Sequence, residues 1–245
     1  MADNLVFGLH AVEALLHKRP GQIDRLQVQQ GREDKRLRAL LDLARQRDIP
    51  VEVVPRADLD HAVSGRHQGV IALLKADRQA NEADLWQLLD QLDADPFLLI
   101  LDGVTDPHNL GACLRSANAA GVHAVVVPKD KSAPLTPVAR KVACGAAEFT
   151  PLIRVTNLAR TLDQLKERGI WLVGTAGEAE QLLWEQDLRG PLVLIMGAED
   201  KGMRRLTREA CDHLVRLPMA GEVTSLNVSV ATGVCLFEAV RQRLA

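Results

Sequence analysis

An α/β fold in two parts is what this sequence predicts, and three observations predict it. Helix-period and strand-period signals alternate along most of the chain. FLLILD, from Phe97 to Asp102, is a continuous apolar strand of the kind buried on both faces of a parallel sheet. Residues 76–95 carry six acidic side chains against Arg78, which sets them apart from flanks of nearly balanced charge. With 245 residues, 47% of them hydrophobic, the chain is long and apolar enough for one large domain or two modest ones.

In chain order, GLHAVEALLHK reads as a helix and RLQVQQ as a short strand. In EDKRLRALLDLARQR, Leu37, Leu40, Leu41 and Ala44 share one helix face. VEVV is a strand bounded by Pro50 and Pro55, and GVIALL is another. Residues 1–76 therefore form a small α/β domain. Residues 77–95 are a linker followed by a helix, DLWQLLDQL, which is expected to pack on the second domain. From residue 96 to 245 the alternation is cleaner. FLLILD, HAVVVP, IWLVGTA, PLVLIMGAE and HLVRLPM read as strands. NLGACLRSANAAG, LTPVARKVACG, TNLARTLDQLKERG and a last stretch over roughly 226–243 read as helices. Such βα repetition implies a mostly parallel sheet with helices on both faces.

Composition and motifs exclude several classes. No apolar run reaches membrane-spanning length, and MADNLVFGLH lacks the pattern of a secretory signal. A cytoplasmic protein without a membrane partner is expected. Cys113, Cys144, Cys211 and Cys235 form no CxxC pair, so reduced cysteines in the core are expected, and no metal site. Four Phe, three Trp and no Tyr are too few for RNA binding by an aromatic stacking sheet. The dinucleotide fingerprint GxGxxG is absent, which argues against a nucleotide-dependent oxidoreductase. GAEDKG has glycines at phosphate-loop spacing, but Met203 and Arg204 stand where Lys and Ser/Thr are needed.

In parallel sheets ligands bind beyond the carboxyl ends of the strands. Three strand ends here carry small residues: Thr175, Ala176 and Gly177; Gly197, Ala198, Glu199 and Gly202; and Leu217, Pro218 and Met219. Each alone is an ordinary turn. Together they describe a neutral, apolar pocket suited to an adenosine-bearing ligand without phosphates. DPHNLGACLRSA, residues 106–117, places Asn109 where a helix begins and Arg115 six residues on. Asn109 is a helix cap or a site residue; the small, apolar neighbours of Arg115 leave its partner unexplained. In TSLNVSVATG, residues 224–233, a strand-like alternation passes into helical spacing at Ser225 and Asn227. Thr224, Ser225 and Asn227 can cap a helix or serve a ligand. Val230, Val234 and Phe237 are expected to hold that helix entrance by packing beneath it.

Three blocks, LDGVTDPHNLGACLRSANAAG, LIMGAEDKGM and LPMAGEVTSLNVSVATGVCLFEAVRQR, resemble the three motifs of the SpoU (TrmH) class of RNA ribose 2′-O-methyltransferases. FGLHAVEALL, GREDKR and RHQGVIA resemble the N-terminal part of the member that methylates a guanosine of bacterial 23S rRNA. The resemblance covers essentially the whole chain. It implies S-adenosylmethionine as cofactor, 23S rRNA as substrate, a homodimer, and a catalytic domain with a deep trefoil knot. It implies that the small first domain binds RNA, which adds interest to Arg32, Lys35, Arg36 and Arg38; by charge alone these read as a solvated helix face. Residue by residue it assigns Asn109, Arg115, Glu199, Ser225 and Asn227 to catalysis. It assigns Gly197, Leu217, Met219 and Leu226 to the methyl donor, with Thr175, Ala176 and Gly177 lining the same pocket. The family places glycine after the motif-two glutamate, where this chain has Asp200, so the loop geometry there is in question.

The implied reaction is an in-line displacement in which a ribose 2′-oxygen attacks the methyl carbon of the sulfonium donor. The resemblance gives Arg115 the role of base, although a free guanidinium keeps its proton to above about pH 12. The alternative has Arg115 bind the adjacent phosphate. Two other readings keep the fold and change the function: a tRNA ribose methyltransferase, and an RNA-binding protein without catalysis. Retention of the five catalytic-type residues together argues against the last.

Overall fold

The structure is a computed structural model that describes residues 5–18, 20–32, 34–63, 65–74 and 79–244. It divides into two compact units, Met1–Arg78 and Gln79–Ala245. The first contains β1 (Leu5–Phe7), α1 (Leu9–Lys18), β2 (Ile23–Gln29), α2 (Lys35–Gln46), β3 (Val51–Val54), α3 (Arg56–Ala62) and β4 (Val70–Leu74). Among the described residues its sheet runs β1-β4-β2-β3. Strands β2 and β3 are parallel, and β4 is antiparallel to both β1 and β2. Leu9, Val12 and Leu16 of α1 share a core with Leu37, Leu40 and Ala44 of α2, the face that the helical spacing foretold. Strand β1 and helix α3 are additions to the sequence reading; both are short.

Helix α2 begins at Asp34, whose carboxylate accepts from the backbone N–H of Arg36 and Leu37 and from Arg32 Nε at 2.6 Å. These bonds hold the Asp34 carboxyl below its ordinary range. Arg32 is thus half-buried in an ion pair, whereas Lys35, Arg36 and Arg38 lie in the first turn of α2.

The second unit contains β5 (Ala80–Asn81), α4 (Glu82–Asp90), β6 (Phe97–Asp102), α5 (Pro107–Ala119), β7 (Ala124–Pro128), α6 (Pro137–Val142) and β8 (Leu152–Val155). It continues with α7 (Leu158–Glu167), β9 (Trp171–Thr175), β10 (Gln181–Leu182), β11 (Leu192–Gly197), α8 (Arg205–Ala210), β12 (His213–Arg216) and α9 (Val228–Leu244). Of the stretch read as a linker, residues 77 and 78 lie outside the described residues. Residues 80–81 already join the large sheet, and Leu85 of α4 is buried against it. The strand order is β10-β12-β9-β11-β6-β7-β8-β5, and every pairing among the described residues is parallel. It is consistent with the trefoil knot that the resemblance implies.

Strand β6 sits in the middle and is buried throughout. Phe97, Leu99 and Leu101 face one core, with α5 and α9; Leu98 and Ile100 face the other, with α4 and α7. Burying each such side chain contributes about 1.5–3 kcal/mol, and a one-residue slip would exchange the two faces.

Helix α5 carries both Asn109 and Arg115, and its ends are well defined. Asp106 caps it by accepting from His108 N, and Pro107 occupies the first turn. It stops where Gly121 takes φ +74° and Val122 N reaches back to Ala117 O at 2.9 Å. Asp106, not Asn109, is therefore the cap. Gly111 lets α6 approach: a Cβ there would lie 2.5 Å from Ala139 O and 2.8 Å from Val142 Cβ.

Helix α9 packs on α5 through Val228, Thr232, Cys235, Leu236 and Ala239, with Cys113 Sγ donating to Thr232 Oγ1. This corrects one expectation. Val230, Val234 and Phe237 do not pack beneath the helix entrance; they are 52%, 36% and 49% exposed. They share the opposite face at i, i+4, i+7, so spacing alone could not say which stripe is the inner one. The cysteines are all unpaired. Burial pushes the thiols of Cys113 and Cys235 up to about 11 and about 12, while Cys144 is exposed rather than in the core.

Gly111→Ala tests the α5–α6 contact. Helix propensity alone favours alanine by about 1 kcal/mol. The collision with α6 backbone reverses the sign, and urea unfolding should show a net loss of about 1–3 kcal/mol. A neutral or stabilised variant would contradict the close approach.

Candidate active site

The chain leaves β6 toward β7 on one side and leaves β11 toward β12, beyond β9, on the other. Their adjacent ends, with Asp102 and Gly197 in register, form the point where the loops diverge and a ligand crevice opens. A cavity of about 390 Å³ lies there, within the range of small-molecule sites. Thr175, Ala176, Gly177, Gly197, Leu217, Met219 and Leu226, the residues expected around the methyl donor, all line it. Glu199 and Ser225 line it too.

The β11 loop is a tight reversal. Ala198 and Gly202 exchange backbone hydrogen bonds at 3.1 and 2.9 Å. Gly197 is required because a Cβ would fall 2.3 Å from the carbonyl carbon of Gly202 and the nitrogen of Met203. Gly202 takes the left-handed conformation at φ +62°, whereas Asp200 lies outside it. The departure from the family's glycine therefore imposes no backbone strain at that position. The carboxylate of Asp102, whose side chain is fully buried, grips the far end of the reversal. It accepts from Arg204 N at 2.8 Å and Arg204 Nε at 2.6 Å. Asp102 thus holds both ends of the loop, one by strand pairing and one by its side chain.

Between those ends stands Glu199. Its Oε1 accepts from Asn227 Nδ2 at 2.6 Å, Asn109 Nδ2 at 3.0 Å and the backbone N–H of Val228 at 3.1 Å. Asn227 Nδ2 also donates to Asn109 Oδ1 at 3.0 Å. The other end of the Asn227 amide caps α9: its Oδ1 accepts from Ser229 N and Ser229 Oγ, and its backbone carbonyl accepts from Ala231 N. The two alternatives for Asn227, cap and site residue, are both satisfied by one amide. The carboxylate lies at the N-terminus of α9, where the helix dipole favours negative charge.

Of the five residues assigned to catalysis, the structure joins Asn109, Glu199 and Asn227 through hydrogen bonds. Ser225 stands exposed on the cavity wall. Arg115 is exposed on α5, four residues after Gly111 on the same face, with no ion-pair partner among the described residues. Arg32, Lys35, Arg36 and Arg38 belong to the first unit. Sequence reasoning missed several wall residues. Met196 and Val215 are buried strand-end positions that a fuller reading of the strand ends would include. Glu178 and Arg208, an ion pair on the wall, carry no sequence signal because they are 30 residues apart and α8 was not foreseen.

Comparison with known proteins shows the family. Residues 96–237 match the SpoU rRNA Methylase family, and residues 5–80 match the family described as RNA 2′-O ribose methyltransferase substrate binding. The 23S rRNA (guanosine-2′-O-)-methyltransferase RlmB of Pseudomonas putida is 62% identical, over 97% of this chain and 96% of that one. The same enzyme of Escherichia coli K12 is 60% identical, over 98% and 99%. The crystal structure of the SpoU methyltransferase AviRb from Streptomyces viridochromogenes, in complex with the cofactor AdoMet, superposes with a TM-score of 0.68 at 27% identity. That match covers 98% of this chain and 90% of AviRb.

The shared amide makes an unusual prediction. Aspartate caps helices as well as asparagine does, but here it would set a second carboxylate against Glu199. Asn227→Ala should cost about 1 kcal/mol for the lost cap. Asn227→Asp should cost at least as much at pH 7 and recover as pH falls through the carboxylate range, since protonation removes the repulsion. An Asn227→Asp variant as stable as the parent in urea at pH 7 would contradict the geometry.

Proposed function

The chain belongs to the SpoU rRNA methylase family, and on that premise we propose that it methylates the ribose 2′-hydroxyl of one guanosine of 23S rRNA, using S-adenosylmethionine. One observation carries the proposal: Glu199 both lines the cavity and ties Asn109 to Asn227. Donor site and polar junction therefore meet at a single side chain. The walls fit the donor. Met196, Leu217, Met219 and Leu226 supply apolar surface, and Gly197 presents bare backbone.

When bound, S-adenosylmethionine would supply a methyl carbon activated by its positive sulfur; the ribose 2′-oxygen would take the methyl group as its hydroxyl proton is lost, and S-adenosylhomocysteine would be the leaving group. The protein's task is mainly alignment, which can contribute about 7–11 kcal/mol. Glu199, on the cavity wall and bonded to Asn109 and Asn227, is assigned to the entrance used by the ribose. Ser225, exposed on the wall, is placed to bond the incoming ribose. Arg115 is assigned to the phosphate beside that ribose, since an exposed, unpaired guanidinium matches a phosphate in a two-pronged contact.

Arg32, Lys35, Arg36 and Arg38 are assigned to RNA on the first unit, Met1–Arg78; Arg32 also buttresses the α2 cap. A homodimer accounts for the exposed Val230, Val234 and Phe237 stripe on α9. Among the described residues no helix is long and apolar enough to cross a membrane. The work is assigned to the cytoplasm, where ribosomal RNA is made in bacteria.

Labelled methyl transfer to unmodified 23S rRNA and to tRNA, with nuclease mapping, tests the reading. Label on one 23S guanosine ribose is expected; label on tRNA alone would overturn the substrate. In the same assay Arg115→Lys should lower kcat/KM by tenfold or more, roughly the loss of one charge-assisted contact. Full activity in Arg115→Lys would remove any special role for the guanidinium.

A further inference from the structure

The cations of the second unit fall into two sets. Most are neutralised: Arg140 by Glu148, Arg160 by Glu82, Lys166 by Asp212, Arg168 by Asp90, Arg189 by Asp187, Arg204 by Asp102, Arg205 by Glu209, Arg208 by Glu178, and Arg241 by Glu238. Arg154 and Arg243 donate to backbone carbonyls. Among the described residues, those whose side chains lack an ion-pair or hydrogen-bond partner are Arg115, Lys129, Lys131, Lys141, Lys201 and Arg216.

Unpaired charge is not scattered. Lys201 and Arg216 line the cavity at the ends of β11 and β12. Lys129 and Lys131 leave the carboxyl end of β7, on the same edge of the parallel sheet as the cavity. Their loop is tied to the start of the site: Ala133 N donates to Val104 O at 2.8 Å, just before α5. Arg154 Nη2 holds the loop from below by donating to Ser132 Oγ and Ala133 O. Lys141 lies on α6, which packs on α5 at Gly111, between Asn109 and Arg115. All three lysines are exposed.

We propose that Lys129, Lys131 and Lys141 form a phosphate track on the catalytic unit, which holds the RNA strand running past the target ribose. This rests on the methyl-transfer reading above and adds to it the surface that the substrate crosses. The ligand is the phosphate backbone, because compact ammonium groups on a surface poor in aromatics can attract charge but cannot read bases. Unpaired cations left beside a site that must admit a polyanion are available to release counterions on binding.

The test uses the full chain and a 23S rRNA fragment containing the methylated guanosine. RNA affinity is measured against salt for the parent and for Lys129→Gln/Lys131→Gln/Lys141→Gln. S-adenosylhomocysteine binding checks that the fold and cavity are intact. Three lost phosphate contacts should reduce the slope of log affinity against log salt by about 2, with donor-product binding unchanged. A control, Arg160→Gln/Arg168→Gln/Arg205→Gln, removes the same charge from paired positions and should leave the slope alone. An unchanged slope in the lysine variant, or an equal drop in the control, would overturn the track. If the parent itself shows no salt-dependent RNA binding and no methyl transfer, the functional reading falls as well.

Discussion

One carboxylate oxygen holds the candidate site together. Oε1 of Glu199 accepts hydrogen bonds from two asparagine side chains and from the first N–H of α9. The junction draws on three separate parts of the chain: the start of α5, the loop after β11, and the entrance to α9. Charge-assisted bonds of this kind are short and strong. The helix N-terminus adds a further preference for negative charge. A single atom with three donors leaves little freedom, so each bond fixes the geometry of the others.

That junction is only as firm as the loop that carries Glu199, and the sheet supplies the firmness. Asp102 ends the central, wholly buried strand and grips Arg204 with a buried carboxylate. Gly197 lets the chain turn back within 2.3 Å of where its own Cβ would be. On the far side, Thr232, Cys235 and Leu236 seat α9 against α5. Packing thus sets the relative positions of the two asparagines, and the carboxylate joins what packing has brought near.

Much of this was legible in the sequence. Buried parallel strands announce themselves as apolar runs, and small residues at their ends mark where the cavity opens. The helical spacing of α2 correctly named its inner face. The three motif blocks located the family and named the candidate site residues, though not how those residues meet. That Asn109 and Asn227 share one carboxylate is a long-range fact, set by a crossover that no local pattern encodes. Asn109 looked like a cap because the helix was expected to begin at it, whereas it begins at Pro107 with Asp106 as its cap. The α9 stripe misled for a related reason. Helix α9 is apolar on two sides, and only the fold decides that Cys235 and Leu236 go inward while Val230, Val234 and Phe237 face out. Short elements such as α3 and α8 lack the periodicity that would reveal them.

The most direct test of the account is a double-mutant cycle on methyl transfer, with Asn109→Ala, Asn227→Ala and the pair. If Glu199 unites the two amides into one device, either single change disables it and the double variant loses little more in kcat/KM than the worse single. If the losses simply multiply, the asparagines act independently, and the shared carboxylate is not the constraint on which the site depends.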